Sequence, residues 1–334
     1  MSYFGIPIRN GASVGLGSII SLLSGSRSAP SLSLNFLSGS LDSRILFTRA
    51  STGTYFDSAG VLQTAAINAA RFDYNPSTLA AQGLLIEEAR TNLVLNSATL
   101  VTQNITVTAV AHTLSFYGTG TVALSGAFTG SLVGSGAFPT RSTLTFTPAA
   151  GTLTLTVTGS VTQAQVEAGA FATSYIPTTA AAATRAADGV FIGTLTPWYN
   201  QAEGTLFATI GYQRNGTVAS FNDNTSNNRW TTTFSAASLG QALRNTAGAG
   251  LLTTSTANAA VIGATNKIAL AISTGCSLVL NGGTVATNAS YAAPTVTQLQ
   301  IGNQLGAGYL NGYLRTLTYY PSRLSNAQLR ALTV

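Results

Sequence analysis

The sequence predicts an all-β chain: an N-terminal extended arm, two β-sandwich modules of the jelly-roll type and a short C-terminal helix. Three observations carry that reading. Apolar residues alternate with threonine at period two, Leu144 and Phe146 over 143–147, then Leu153, Leu155 and Val157 over 152–158, with a turn at 148–151. Short apolar runs recur between Asn/Gly turns such as Asn281-Gly282-Gly283. Of the 334 residues 45% are hydrophobic and only 7% charged, against roughly 25% charged in an average soluble protein, a composition that packs and does not stay disordered. The length allows about two domains, each large enough to bury a core.

Residues 1–45 are rich in Gly and Ser and carry two apolar runs, one from Val14 to Leu23 and one from Leu32 to Leu37. Short apolar groups set between Gly and Ser cannot build a core alone, so the segment is expected either to lie on a partner subunit or to hang free. The first run is interrupted by Gly and Ser and far shorter than ~20 residues, which argues against a membrane span. Residues 46–95 change to mixed polar and aromatic texture, expected as short strands joined by Gly turns. Within them 83–93 fits either a short helix with Leu85, Ile86, Ala89 and Leu93 on one face or an extended run. Residues 96–178 should form the first antiparallel sandwich, since 104–116 and 121–128 repeat the alternation seen at 143–158. A linker is expected at 179–190.

The second sandwich is expected over 191–334, with strands near 205–210, 229–234, 267–273, 277–280, 298–302 and 312–319. Ser325 with Gln328 three residues on is a capping box, so a helix should start there and pack Leu329 and Leu332 inward. The single cysteine, Cys276, cannot form an internal disulfide and sits in an apolar strand pattern, where it is expected in the core.

The formal charge is +6, and Lys267 is the only lysine, so fourteen arginines carry the positive charge. Arg9, Arg27, Arg44, Arg71, Arg141, Arg214 and Arg315 are scattered, whereas a nucleic-acid surface shows clustered Lys/Arg among aromatics. The basic balance therefore reflects a shortage of acids, and no nucleic-acid partner is expected.

Three stretches resemble tailed-bacteriophage structural proteins. The runs 47–57 (FTRASTGTYFD) and 84–93 (LLIEEARTNL) look like a module that recurs in tail fibres and virion surface proteins. The run 165–177 (QVEAGAFATSYIP), followed by 184–188 (TRAAD), resembles the end of a carbohydrate-binding-module-like sandwich that often follows it. The ending, with 310–320 (LNGYLRTLTYY) and 323–332 (RLSNAQLRAL), resembles the last strands and terminal helix of the laminin-G and concanavalin-A-like lectin family.

The resemblance implies a structural, non-enzymatic protein on the surface of a phage particle, on the tail in preference to the head, that helps attachment to host glycans. It implies a homotrimer and an anchoring role for the arm, through Val14, Leu16, Ile19, Ile20, Leu22 and Leu23, on other virion proteins. A head fibre or capsid-decorating protein is the alternative, and a polysaccharide depolymerase the third.

The residues offer little for catalysis. His112, the only histidine, lies in a strand pattern, and no G-x-S-x-G elbow is present. Glycoside hydrolysis needs two carboxylates across the scissile bond. Asp188, Glu203 and Asp223 do not form the E-x-D-x-x-E strand motif of the glucanase relatives, and Glu87 and Glu88, being adjacent, are expected as surface or interface polar groups. No cofactor and no metal site is expected. The Asn-rich run 220–228 has one acid, Asp223, and reads either as a turn or as a weak calcium loop. Asn222, Asp223, Asn224 and Asn227, with Trp230 nearby and Trp198 and Tyr199 elsewhere, are the candidates for binding sugar, aromatic rings stacking on it and amides bonding its hydroxyls.

Overall fold

The computed structural model describes residues 29–211, 214–249, 252–290 and 293–334. They form two β-sandwiches and one C-terminal helix. The larger sandwich packs an eight-stranded sheet on a seven-stranded one. Its core runs from Leu32, Leu34 and Phe36 through Leu206, Ile210, Phe221 and Trp230 to Leu314, Leu317 and Tyr319. The smaller sandwich packs a four-stranded sheet on a three-stranded one around Leu114, Phe116, Val122, Leu124, Leu153, Leu155 and Val166. Here the period-two pattern acts as read, with Leu153 and Leu155 in the core while the intervening threonines stay half-buried or exposed.

The boundaries differ from those expected. The first strand, Leu32–Asn35, falls in what reads as arm, yet it pairs antiparallel with Gly312–Tyr320. Leu-Ser-Leu-Asn-Phe puts Leu32, Leu34 and Phe36 on one face, and that face is core. Val14, Leu16, Ile19, Ile20, Leu22 and Leu23, the expected anchoring residues, lie outside the described residues.

The 46–95 segment, expected as a separate connector, gives Leu46–Thr48 to the seven-stranded sheet and Phe72–Tyr74 and Ala81–Ile86 to the eight-stranded one. Strands this short cannot cover a hydrophobic face by themselves and are stable only within a larger sheet. Residues 83–93 are extended, not helical. The expected linker contains one strand, Ala183–Arg185, which pairs with Arg90–Asn92, and the start of another, Gly189–Ile192, which pairs with Leu46–Thr48 and Gln298–Ile301. The first pair forms a neck through which the smaller sandwich is inserted into the larger.

The helix Asn326–Thr333 has the predicted capping box, with the Ser325 Oγ accepting from the Gln328 amide at 3.3 Å and the Gln328 Oε1 from the Ser325 amide at 2.8 Å. It lays Leu329 and Leu332 on Ala269, Ala271 and Val279. Cys276 is buried in the strand Cys276–Leu280. No helix among the described residues is long and apolar enough to cross a membrane.

Candidate functional site

The stretches that carry the phage resemblance meet in space. Arg49 from the first, Glu87 from the second and Arg185 and Asp188 from the third converge, joined by Arg71, in a cluster that is essentially unexposed. Asp188 takes Arg49 Nη1 at 3.1 Å and Arg71 Nη2 at 2.6 Å, and Glu87 Oε2 takes Arg71 Nη1 at 2.8 Å and Arg185 Nη1 at 2.5 Å. Ser174, from the inserted sandwich, donates its amide and hydroxyl to Glu87, both at 2.7 Å. Burial alone would raise the Glu87 carboxyl, but Arg185, Arg71 and the Ser174 hydrogen bonds hold it down at about 2.

Glu87 is thus an interface group, though not a surface one, and the cluster cements the two sandwiches. Phe171, from the same stretch as Ser174, adds to the joint by lying under the guanidinium of Arg90 at 4.7 Å and that of Arg214 at 5.0 Å.

Beside this joint the sandwiches leave a groove. Two cavities of about 170 and 350 Å³ share Phe56, Asp73, Tyr117, Arg141 and Tyr313 as lining. The aromatic wall is formed by Phe56 and Tyr117, with Phe138 packed on both at 5.6 and 5.3 Å between ring centroids and 43% exposed. The polar floor comes from four distant parts of the chain. Asp73 accepts from the Phe56 amide at 2.5 Å and from the Tyr313 hydroxyl at 2.9 Å. Arg141 donates to the Thr173 carbonyl at 2.6 Å and the Ser115 hydroxyl at 2.7 Å.

Two irregular residues complete the floor. In the Gly312–Tyr320 strand the pairing steps from Leu314 to Thr316, leaving Arg315 as the extra residue. In Ala81–Ile86 it steps from Gly83 to Ala81, leaving Gln82. Both extra residues line the groove, and Arg315 Nη2 donates to Gln82 Oε1 at 2.7 Å. β-bulges turn a side chain away from the regular alternation, which is their use here. Gly83 makes the close approach possible: its φ is 103°, and a Cβ on it would strike the Leu314 carbonyl and lie 3.1 Å from Arg315 Cα.

Asp73 is unlike Glu87. Burial is the main cause that raises its carboxyl to about 6, with Glu87 adding to the rise and the Phe56 and Tyr313 hydrogen bonds and Arg71 opposing it. Burial and the neighbouring Asp73 in turn push the Tyr313 phenol well above its ordinary value.

The sequence-predicted sugar site does not assemble. Trp230 and Trp198 are 0% and 4% exposed, and with Tyr199, Phe221 and Tyr319 they form an aromatic stack in the larger core, Phe221 lying on Trp230 at 4.2 Å. Trp230 Nε1 donates to the Tyr199 hydroxyl at 3.0 Å, so the fold unites these three residues, but inside, where no sugar can stack. Burial raises the Tyr199 phenol to about 12.

Asn222, Asp223, Asn224 and Asn227 do share one loop, but its polar groups bond largely within it. Asp223 accepts from the Thr225 amide and hydroxyl and from Asn228 Nδ2, and the fully buried Asn222 accepts from the Asn224 amide. This is the turn reading of the loop. Among the described residues no group of three His, Cys, Asp or Glu side chains could hold a metal ion. His112 is buried, its Nδ1 2.8 Å from the Val110 carbonyl and its ring stacked near Phe146.

The groove residues carry no local sequence signal, because Asp73, Tyr117, Arg141 and Arg315 come from separate strands. The one available hint is Gly83, a glycine inside an apolar strand run, which marks a bulge or a close backbone approach.

The sequence matches no protein-family model and no curated protein. Solved structures similar to part of the chain include the CBM40 of the Ruminococcus gnavus IT-sialidase bound to α2,3 sialyllactose, at 21% identity over 40% of this chain and 83% of that one, with a TM-score of 0.35. The leech intramolecular trans-sialidase is 19% identical over 40% of this chain and 23% of its own length, TM-score 0.35. The heptameric SAP-like pentraxin of Limulus polyphemus is 13% identical over 39% of this chain and 68% of its own, TM-score 0.29.

Proposed function

We propose that the chain is a non-enzymatic structural protein of a tailed-phage particle, a tail fibre, that holds a host-surface saccharide in the groove between its two sandwiches. The observation that carries the binding reading is the groove itself, with Phe56 and the nearly buried Tyr117 along one wall, the exposed Phe138 packed on both, and a floor of Asp73, Arg141, Tyr313, Gln82 and Arg315. Sugars present an apolar ring face and a fringe of hydroxyls, and such a wall and floor complement both. Hydrolysis finds less support, since Glu87, the other carboxylate at the groove, is held by two arginines. The phage setting is supported by the 47–57, 84–93 and 165–188 stretches, and with it the trimer and an anchoring role for the N-terminal arm through Val14, Leu16, Ile19, Ile20, Leu22 and Leu23.

Two measurements test this. Purified chain should bind host envelope saccharide and compete with phage adsorption, and Tyr117→Ala with Phe138→Ala should weaken binding by tenfold or more, about 1.4 kcal/mol, without sugar release by either protein. Full-strength binding by the double variant overturns the groove reading. Normal adsorption by particles lacking the chain favours capsid decoration over a fibre.

A further inference from the structure

We infer, resting on the saccharide reading above, that the groove selects a saccharide bearing a carboxylate, with Arg141 and Arg315 as its charge partners and Asp73 as the protonatable group that opposes it. The arginines of this chain divide by partner. Arg44, Arg49, Arg71, Arg90 and Arg185 are each ion-paired to a carboxylate. Arg141 and Arg315 are half-buried and bond only neutral acceptors, the Thr173 carbonyl, the Ser115 hydroxyl and the Gln82 amide oxygen. In both, as in the ion-paired Arg71, Arg90 and Arg185 and in Arg229, the buried Nε has no hydrogen-bond partner among the described residues, so what sets these two apart from the ion-paired arginines is the lack of a paired carboxylate.

A guanidinium keeps its charge in such a place, and a partly desolvated cation without a counter-ion is stabilised by an incoming anion. A carboxylate also suits its planar fork. The bulge at Arg315 brings one of these cations into the groove from the larger sandwich, while Arg141 comes from the inserted one.

Asp73 lines the same cavity as both arginines. The charged and titratable groups around it are Arg71 just before its own strand and Tyr74 on it, Tyr55 from Gly53–Phe56, Glu87 from the chain after Ala81–Ile86, Tyr313 and Arg315 from Gly312–Tyr320, and Tyr117 and Arg141 from the inserted sandwich. Arg71 is committed to Glu87 and Asp188, so it neither neutralises Asp73 fully nor reaches the ligand. An ionised Asp73 repels a bound carboxylate and a protonated one does not. With its carboxyl raised to about 6, binding takes up a proton, and affinity rises as pH falls from 7.5 to 5.5, still above the ~3.5–4 at which a sugar acid itself protonates.

The test uses the full chain and two probes, a glucuronate-containing tetrasaccharide and the same molecule with its carboxyls reduced to alcohols, read by saturation-transfer NMR and calorimetry. The acidic probe should bind tenfold or more tightly than the reduced one and severalfold more tightly at pH 5.5 than at 7.5. Asp73→Asn should show the pH 5.5 affinity at both pH values. Arg315→Gln should erase the preference for acid, and Arg315→Lys should keep its pH dependence at lower affinity, with tryptophan fluorescence checking the fold of each. Equal binding of the two probes overturns acid selection and leaves the saccharide reading standing, as does binding of the reduced probe alone. Binding of neither probe overturns both.

Discussion

Two regions of this molecule place arginine beside buried carboxylate and put it to opposite ends. At the joint, the terminal guanidinium nitrogens of Arg49, Arg71 and Arg185 close on Glu87 and Asp188, and the result is mechanical: the inserted sandwich is held through Ser174. In the groove, Arg141 and Arg315 line one cavity with Asp73 and make no ion pair with it. Burial is common to both settings; partner geometry differs. A carboxyl caught between two guanidiniums falls to about 2, whereas one given only an amide and a phenol rises to about 6.

The largest effect should come from breaking the joint. Glu87→Gln leaves Arg71 and Arg185 short of a counter-charge in a dry setting, and a loss of about 3–5 kcal/mol is expected in urea unfolding. The pH profile of stability sharpens the contrast. Glu87 falls from an ordinary value of 4.5 to about 2, so its contribution is complete above 4.5 and lost as pH drops toward 2. Asp73 rises from 3.8 to about 6, so its contribution is complete below 3.8 and lost as pH climbs through 6. Thermal melts should therefore show an acid limb that is smaller in Glu87→Gln, where Asp42, Asp57 and Asp223 still contribute to it, and an alkaline-side decline absent from Asp73→Asn. A wild-type profile level from pH 2 to 8 would contradict the contrast.

An intermediate effect is expected at Gly83→Ala. The added methyl meets the Leu314 carbonyl and should shift the paired bulges, at about 1–3 kcal/mol in denaturant, while the misplaced Arg315 lowers saccharide affinity by more than the stability change accounts for. Binding unchanged in a folded Gly83→Ala protein would remove the bulge from the account of the groove. The smallest effect belongs to Asp223→Asn. With its bonds confined to a surface turn, the change should stay within about 0.5 kcal/mol and leave saccharide binding and the response to added calcium untouched. A calcium-dependent shift in melting that this variant abolishes would restore that loop as a site.

What the sequence made legible follows the range of the interactions. The alternation over 143–158 and the Ser325–Gln328 capping box are local, and both are found where expected. The strand Thr217–Asn222 has all six residues buried and its sequence does not alternate strictly between apolar and polar, so it carries no period-two signal. Leu32–Asn35 alternates cleanly, yet whether it is an arm or a strand is decided by Gly312–Tyr320, nearly three hundred residues away. The stretches singled out in the sequence contain Arg49, Glu87, Arg185 and Asp188, the buried residues of the joint, but their pairing spans 98 residues between Glu87 and Arg185 and 139 between Arg49 and Asp188, and has no local mark. The groove has no such word: each floor residue is an ordinary polar group until the insertion is folded against its host. Tryptophan misled because in a sandwich a large aromatic fills the core more readily than it stands on the surface.

The aromatic stack has an optical consequence. Both indoles of the chain, Trp198 and Trp230, belong to the larger core, and residues 96–178 contain none. Light absorbed at the red edge of the protein spectrum is therefore emitted from one sandwich only, while circular dichroism weighs the strands of both. Superimposable unfolding curves from the two signals would mean that the joint makes the insertion and its host melt as one body, and a dichroism change that precedes the emission change would be the insertion coming apart in the dark.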